Sequence, residues 1–568
     1  MTFPETFNLA DYFLFDRQQE GKGGNVAIRF GHRSWTYDEV ADRSLALAHY
    51  LVEEGLRPEQ RVYIVLPDVP PFAWSIFATL AAGGVVTMGN TIAPVEDLRY
   101  VLEYVRATML ITTPAVARAL GPYYAELPHL RRVFLAPDAA TIEDPEADLP
   151  PAEIAEIDTL LRRALDLPPK RVESLTRAIV RGRTLEVPLP RTRRDDPAIW
   201  LFTSGSTGRA KAAMHSHRDF AFNTEVYAKR TVGYRESDVA ISVPRLFFGY
   251  ATGTNLWFPF AVGATVGLFS ERPTAESVAA AIARYRPTIV TNVPTMLGKL
   301  LDLDDERRAK GEPPLDLSCV RFHLSAGEAL PEPLLRRFTA RFGGEVYDGI
   351  GSAEMFHIYC SNRPGDVMPG SLGRAVEGYT LAILPEDAEG SGAAPLPPGE
   401  IGVLWVKGDS VAHGYFQDRD KSWKTFHGHW CRTGDLFSID ERGYLWFSGR
   451  ADDLFKVGGI FVAPREVEDC LLAHAAVSVA AVIPAEEGGL TKPKAVIELR
   501  PDARERIASS DGRRALIAEL KAHVQNKLSK HKYPRWVVFL DDLPKNDRGK
   551  VDKKALVERE KRGELREE

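Results

Sequence analysis

The sequence predicts an α/β protein in which a large N-terminal domain, built of two βαβ-type lobes plus a small β subdomain, precedes a smaller α+β C-terminal domain. Three observations carry this. Strand-like and helix-like stretches alternate in the first lobe, the same rhythm returns after residue 239, and from Gly399 the chain changes to short β-rich runs broken by glycine and charged turns. In the first lobe, residues 61–66 are β-rich, 71–82 have helical spacing and 84–88 read as a second strand. The apolar run 198–202 reads as a further strand. In the second lobe the strands are expected at 239–243, 265–269, 288–292 and 320–325. Between the lobes, Pro, Glu and Asp cluster at 144–156 and Arg and Lys at 170–194, so 141–196 reads as a surface excursion with one helix at 157–167. The β subdomain is placed on 401–406 and 443–448. After Asp452 come a strand-turn-strand at 454–462, a helix opening after Pro464, β-rich runs at 477–483 and 495–499, a helix at 515–527 and a strand at 536–540. The tail from Lys553 reads as helix-prone and exposed, and the expected division is 1–451 and 452–568.

A chain of 568 residues exceeds one ordinary core, which is why at least two domains are expected. Its formal charge of -6 is small for that length and argues against a general nucleic-acid or anionic-membrane surface. The four cysteines, Cys319, Cys360, Cys431 and Cys470, are scattered, with no Cys-x-x-Cys pair and no histidine at ligand spacing, so neither structural zinc nor a disulfide framework is expected. Residues 1–16 do not resemble a signal peptide, and no run reaches the length of a membrane span. The expectation is a cytoplasmic protein, monomer or homodimer, whose partners are small molecules.

The chemistry is concentrated in Leu201-Phe-Thr-Ser-Gly-Ser-Thr-Gly-Arg-Ala-Lys211. Thr203, Ser204, Ser206 and Thr207 alternate with Gly205 and Gly208, and Lys211 closes the run. Backbone amides, hydroxyls and one cation after a strand suit a polyphosphate. The run is not the common phosphate loop, in which Gly-Lys-Ser/Thr follows four residues after a glycine. Further on stand Tyr347-Asp-Gly-Ile-Gly-Ser-Ala-Glu354, Arg432-Thr-Gly-Asp435, Gly449-Arg-Ala-Asp-Asp-Leu-Phe-Lys-Val-Gly-Gly459 and Pro544-Lys-Asn-Asp-Arg-Gly-Lys550.

Together, in this order and at comparable spacing, these five blocks resemble the adenylate-forming superfamily of acyl-CoA synthetases, adenylation domains and luciferases, over nearly the whole chain. Leu246-Phe-Phe-Gly-Tyr250, Gly349-Ile-Gly-Ser-Ala-Glu-Met-Phe-His-Ile358, Ser361-Asn-Arg-Pro-Gly365 and His531-Lys-Tyr-Pro534 are most similar to benzoate-CoA ligases and related aryl-CoA ligases. The resemblance implies an ATP-dependent ligase that joins a carboxylic acid, an aromatic one above all, to coenzyme A through an acyl-adenylate. The alternatives are an alicyclic or medium-chain acid, transfer to a carrier-protein thiol, or a nucleotide-binding regulator without turnover.

Residue roles follow from the same resemblance. Lys550 is the candidate cation bridging acid and α-phosphate, Glu354 the carboxylate holding Mg²⁺ against ATP, and Thr203 to Lys211 the grip on the β and γ phosphates. Ala353 replaces the usual threonine, which removes one hydroxyl. Tyr347, Asp348 and Gly349 on one side and Ser325, Ala326, Gly327 and Glu328 on the other are expected to border adenine, with Tyr347 stacked on it. Asp435 and Arg450 are assigned to ribose and phosphate, and Asp452 to the hinge of a mobile C-terminal domain. Gly458 and Gly459 are assigned to the tunnel for the CoA thiol. The acid pocket is placed at Phe248, Gly249, Tyr250, Gly349, Ile350 and His357, the two glycines leaving room beside Tyr250. The basic residues Arg181, Arg183, Arg191, Arg193 and Arg194 read as a solvated face or a contact for CoA phosphates.

Overall fold

The computed structural model describes residues 1–138, 144–162, 171–204, 209–328, 330–450, 455–457, 460–462, 464–487, 490–545 and 551–566. The chain alternates strand and helix for its first two thirds and closes two large sheets. Among the described residues the first has seven strands, in the order Arg171–Ser174, Arg132–Leu135, Met109–Thr112, Arg61–Val65, Val85–Met88, Pro197–Ser204 and Ala210–Ser216. All its neighbours are parallel except the last two, which pair antiparallel. The second runs Arg374–Ala375, Ile358–Ser361, Glu345–Gly351, Phe322–Ser325, Ile289–Asn292, Val239–Ser242, Thr265–Leu268, Val26–Phe30 and Arg33–Thr36.

Crossover helices tie the sheets together. Thr36 caps Tyr37–Glu53, accepting from Glu39 N while the Glu39 carboxylate returns to Thr36 N, a reciprocal arrangement that satisfies two otherwise orphaned amides. Pro70–Ala81 starts with two prolines, which need no helical partner there, and is buried at every position. These helices share one continuous apolar core with both sheets, from Ile64 and Ile111 in the first to Val266 and Leu324 in the second. A helix apolar all round belongs in such a place.

The excursion at 141–196 departs from expectation. Its described part holds two helices, Pro151–Arg162 and Leu175–Gly182, and the edge strand Arg171–Ser174. It is therefore another βα unit of the first sheet. At Gly182 a Cβ would lie 1.9 Å from the Ala46 carbonyl oxygen, so this glycine lets two helices approach closely. The basic residues around it brace the surface: Arg181 pairs with Glu173, Arg183 with Asp42 and Arg193 with Glu5, and Arg194 donates to the Phe3 carbonyl.

The β subdomain begins earlier than predicted, at Thr380–Leu384, and continues through Gly402–Lys407, Phe426–His427, Trp430–Ile439 and Leu445–Arg450. The C-terminal part pairs Val477–Glu487, Leu490–Leu499 and Trp536–Phe539 under Pro464–Leu472 and Ser510–Gln525, with its own core. The last helix, Lys553–Lys561, is docked and not simply exposed. Leu556 and Leu565 are buried beneath it, and the Lys494 ammonium donates to the Leu565 carbonyl at 2.9 Å. No helix among the described residues is long and apolar enough to cross a membrane.

Candidate functional site

The strand Pro197–Ser204 turns back as Ala210–Ser216, with Thr203 opposite Lys211. Gly205, Ser206, Thr207 and Gly208 lie outside the described residues. Lys211 is largely buried, and its ammonium sits 2.9 Å from the Asp418 carboxylate and 5.9 Å from the centre of the Tyr415 ring. The segment that supplies both partners lies along the outer edge of this hairpin: His413 N and Phe416 N donate to Met214 and Ala212 carbonyls, and Met214 N donates to that of Gly414.

Tyr415 links this edge to Glu354. Its hydroxyl donates to Glu354 Oε1 at 2.7 Å, and burial together with the adjacent carboxylate pushes the phenol far up, so it stays a donor. Glu354 itself sits on a single helical turn, Ala353–Met355, and the carbonyls of its three residues are all claimed. His215 Nε2 donates to Ala353 O at 2.6 Å while its Nδ1 bonds Asp219 at 2.9 Å. Ala412 N donates to Glu354 O, Ser410 to Met355 O and Asn223 to Ile358 O. At Phe356 the backbone adopts φ 68°, ψ -59°, with His357 N donating to Met355 O, a γ-turn that non-glycine residues rarely accept. Gly351 is required beneath it, since a Cβ there would meet the His357 carbonyl carbon at 2.5 Å. Backbone strain so heavily over-determined marks a site whose geometry is held for use. It sets Glu354 and His357 on either side of one turn.

His357 is buried in a cage of rings, with centroids 4.7 Å from Phe258, 5.3 Å from Tyr250 and 5.6 Å from Tyr227. Gly253 makes room for it, because a Cβ there would stand 2.4 Å from the imidazole Cδ2. Its Nε2 donates to the Tyr250 carbonyl at 3.0 Å, and burial pushes its pKa down to about 3, so the ring is neutral with a lone pair on Nδ1. Among the described residues, that Nδ1, the Tyr250 hydroxyl and the Ser352 hydroxyl are buried and find no hydrogen-bond partner. Buried polar groups left unpaired are where a bound ligand finds its partners. Phe248, Gly249, Tyr250 and Ile350 are half-buried beside them. The glycines do not widen this pocket as expected. Leu201 Cδ1 would lie 3.0 Å from a Cβ on Gly249, and the Cys360 carbonyl 2.8 Å from one on Gly349, so both positions are already filled by neighbours.

On the next strands Ser325 donates to Asp348 at 2.8 Å, and just beyond them Thr295, on the helix Pro294–Ala309, donates to Glu328 at 2.9 Å. Ala326 is buried, and Gly327 turns the chain at φ 90°. Tyr347 does not stand where it could stack on a base. Its ring is buried against Phe322 and its hydroxyl is satisfied by Glu345, because strand alternation sends it to the face opposite Asp348. Burial pushes Asp348 up to about 7, against the opposing pull of Ser325, of the Leu330 and Gly349 amides and of Arg465. A carboxyl whose folded value lies above its unfolded 3.8 contributes stability below that value and loses it as pH rises through about 7. Asp348→Asn should therefore gain on the parent between pH 5.5 and 8.5, by about 2 °C in melting temperature. A pH-independent difference between the two melting curves would refute the assignment.

Asp435 lies in Trp430–Ile439, directly opposite Arg450 at the end of Leu445–Arg450. The Arg-Thr-Gly-Asp block is a bulge within the strand, with Gly434 at φ 77° and a register shift against Gly402–Lys407. Asp452, Gly458, Gly459 and Lys550 lie outside the described residues. Tyr415, Asp418, His215 and Gly253 were missed in the sequence, which offers no local spacing to flag them.

Residues 15–416 match the family described as AMP-binding enzyme, and residues 466–550 match the AMP-binding enzyme C-terminal domain. The chain is 37% identical to a benzoate–CoA ligase of Thauera aromatica, over 97% of this chain and 96% of the relative. Its backbone superposes on an anthranilate CoA ligase in complex with anthranoyl-AMP with a TM-score of 0.83, at 32% identity, covering 99% of this chain and 98% of the other. A benzoate CoA ligase from Burkholderia xenovorans gives 0.79 at 34% identity, covering 97% and 99%.

Proposed function

The chain belongs to the AMP-binding enzyme family, and from that premise we propose that it is an ATP-dependent ligase which converts an aromatic carboxylic acid to its CoA thioester through an acyl-adenylate. The observation that carries the reading is the single turn Ala353–Met355, which sets Glu354 toward the Lys211 hairpin and His357 into an aromatic cage. Phosphates on one side and an aryl acid on the other fit the two halves of that turn.

Making a thioester from a free carboxylate is uphill, so the carboxylate oxygen must first become a leaving group. The acid attacks the α-phosphorus of ATP, the bond to pyrophosphate breaks, and the thiol of CoA then displaces AMP. Both reactants of the first step are anionic, so the site has to cancel charge and hold them in line. Lys211 meets the departing phosphates. No group of three His, Cys, Asp or Glu side chains among the described residues could enclose a metal. One carboxylate is nevertheless what Mg²⁺ uses when phosphates complete its shell. Glu354 fits, since Tyr415 engages Oε1 and leaves Oε2 for the cation, which when bound would neutralise phosphate charge. Ser352, whose hydroxyl is unpaired among the described residues, supplies the contact that Ala353 lacks. Asp348 and Ser325 border the base and Asp435 the ribose, Lys550 is the bond-making cation, and the C-terminal domain from Asp452 turns to bring in CoA.

The acid is benzoate or a small substituted benzoate. His357 favours a ring bearing a hydroxyl or amino group, because such a donor would satisfy Nδ1. Pyrophosphate release with a panel of aromatic, alicyclic and short-chain acids, followed by thioester formation with CoA, tests the reading. Nucleotide binding without acylation of any thiol would overturn it. His357→Ala should shift the ratio of kcat/KM between substituted and plain benzoates by about tenfold or more. Unchanged selectivity across substituents would remove His357 from the pocket.

A further inference from the structure

The ion pair between Lys211 and Asp418 has no place in the reaction as written, yet Asp418 is built to make it. Asp418 caps Arg419–Thr425, its side chain accepting from Lys421 N at 3.2 Å through Oδ1, which leaves Oδ2 aimed at Lys211 at 2.9 Å. The residue before it, Gln417, is held at φ 54°, a conformation costly for a non-glycine side chain. The backbone of the same segment is bonded to the Lys211 strand through His413 and Phe416. Asp418 is thus fixed by its cap and its backbone, independently of the lysine it faces. The Lys211 side chain is 14% exposed and that of Asp418 32%. An ammonium so far withdrawn from water is expensive without a counterion.

We propose that Asp418 is the resident counterion of Lys211, occupying the ammonium until phosphate displaces it, and so sets how tightly ATP and pyrophosphate are held. The inference rests on the reading of Lys211 as a phosphate ligand. A phosphate can take Lys211 only in the fraction of molecules whose ion pair is open, and the apparent affinity falls by that fraction. For a partly exposed pair the factor is about two to five. The same competition helps product leave. Once the α-β bond has broken, Asp418 recloses on Lys211 as pyrophosphate departs, at a step that often limits turnover.

The full-length enzyme tests this with Asp418→Asn, which removes the charge but keeps the helix cap, asparagine being as good a cap as aspartate. The probe is inorganic pyrophosphate as an inhibitor against ATP. The inhibition constant and the KM for ATP should both fall by about two- to fivefold, a tightening that general damage to the fold would not produce. Asp418→Glu, which restores the charge, should return both toward the parent values. In a Lys211→Ala background Asp418→Asn should change neither. If Lys211→Ala weakens pyrophosphate but Asp418→Asn fails to tighten it, the counterion role is overturned while the role of Lys211 stands. If Lys211→Ala leaves both constants unchanged, the phosphate reading of Lys211 falls, and this inference with it.

Discussion

Lys550→Ala is expected to lower acid-dependent pyrophosphate release by about 10³-fold while thioester formation from a supplied acyl-adenylate stays within about threefold of the parent. The reason is electrostatic. A carboxylate approaching a phosphate at about 4 Å meets a repulsion of roughly 4 kcal/mol per charge pair at an effective dielectric near 20, and a single bridging ammonium offsets it at both oxygens. In the second half-reaction the phosphate already carries its acyl group and the attacking thiol arrives from elsewhere, so the same cation has little to do. Lys550 is assigned this place from its motif. The described residues on either side, Lys545 and Val551, are bridged antiparallel, and Asp552 N donates to Pro544 O at 2.7 Å. An equal loss in both half-reactions would reject the idea that Lys550 serves one step and the rotated C-terminal domain the other.

Glu354→Gln should cost about 10²- to 10³-fold in adenylation, with the magnesium requirement displaced to higher concentration. Glutamine keeps the length of the side chain and can still accept from Tyr415, so the turn clamped by His215, Ala412 and Ser410 should survive. What disappears is the negative charge that the proposed mechanism sets against the phosphates. Magnesium titrations of pyrophosphate release would show this directly. A variant with an unchanged magnesium midpoint and near-parental turnover would mean that Glu354 only shapes the turn.

How much of this was legible in the sequence depends on the range of the interaction. The strands that were predicted in the two lobes stand within a residue or two of their places because β-branched runs between helical spacings are local signals, while others, such as Met109–Thr112 and Arg132–Leu135, were not predicted. Arg171–Ser174 was missed for the converse reason: it carries one apolar residue in four and becomes a strand only by pairing with Arg132–Leu135. The tail looked exposed because its charges outnumber its leucines, yet Leu556 and Leu565 find a core that the sequence does not announce. Tyr347 looked like a stacking residue by its position in a motif, and strand alternation turned it inward.

The sequence alone determined the order of the blocks, the hydroxyl-and-glycine run ending in Lys211, and the family to which the whole pattern belongs, since each is a property of neighbours along the chain. Only the tertiary structure decided which groups hold the site's residues. Tyr415 stands 61 residues from Glu354 and His215 lies 138 from Ala353, and those contacts exist only once both sheets have closed. The outcome for Gly249 and Gly349 was settled at the same level, because the space beside a glycine belongs to whatever the fold packs there. Lys211 shows both contributions at once: its place at the end of a hydroxyl-and-glycine run is written in the sequence, and its pairing with Asp418 comes from a segment that pairs with the hairpin edge across two hundred residues of chain.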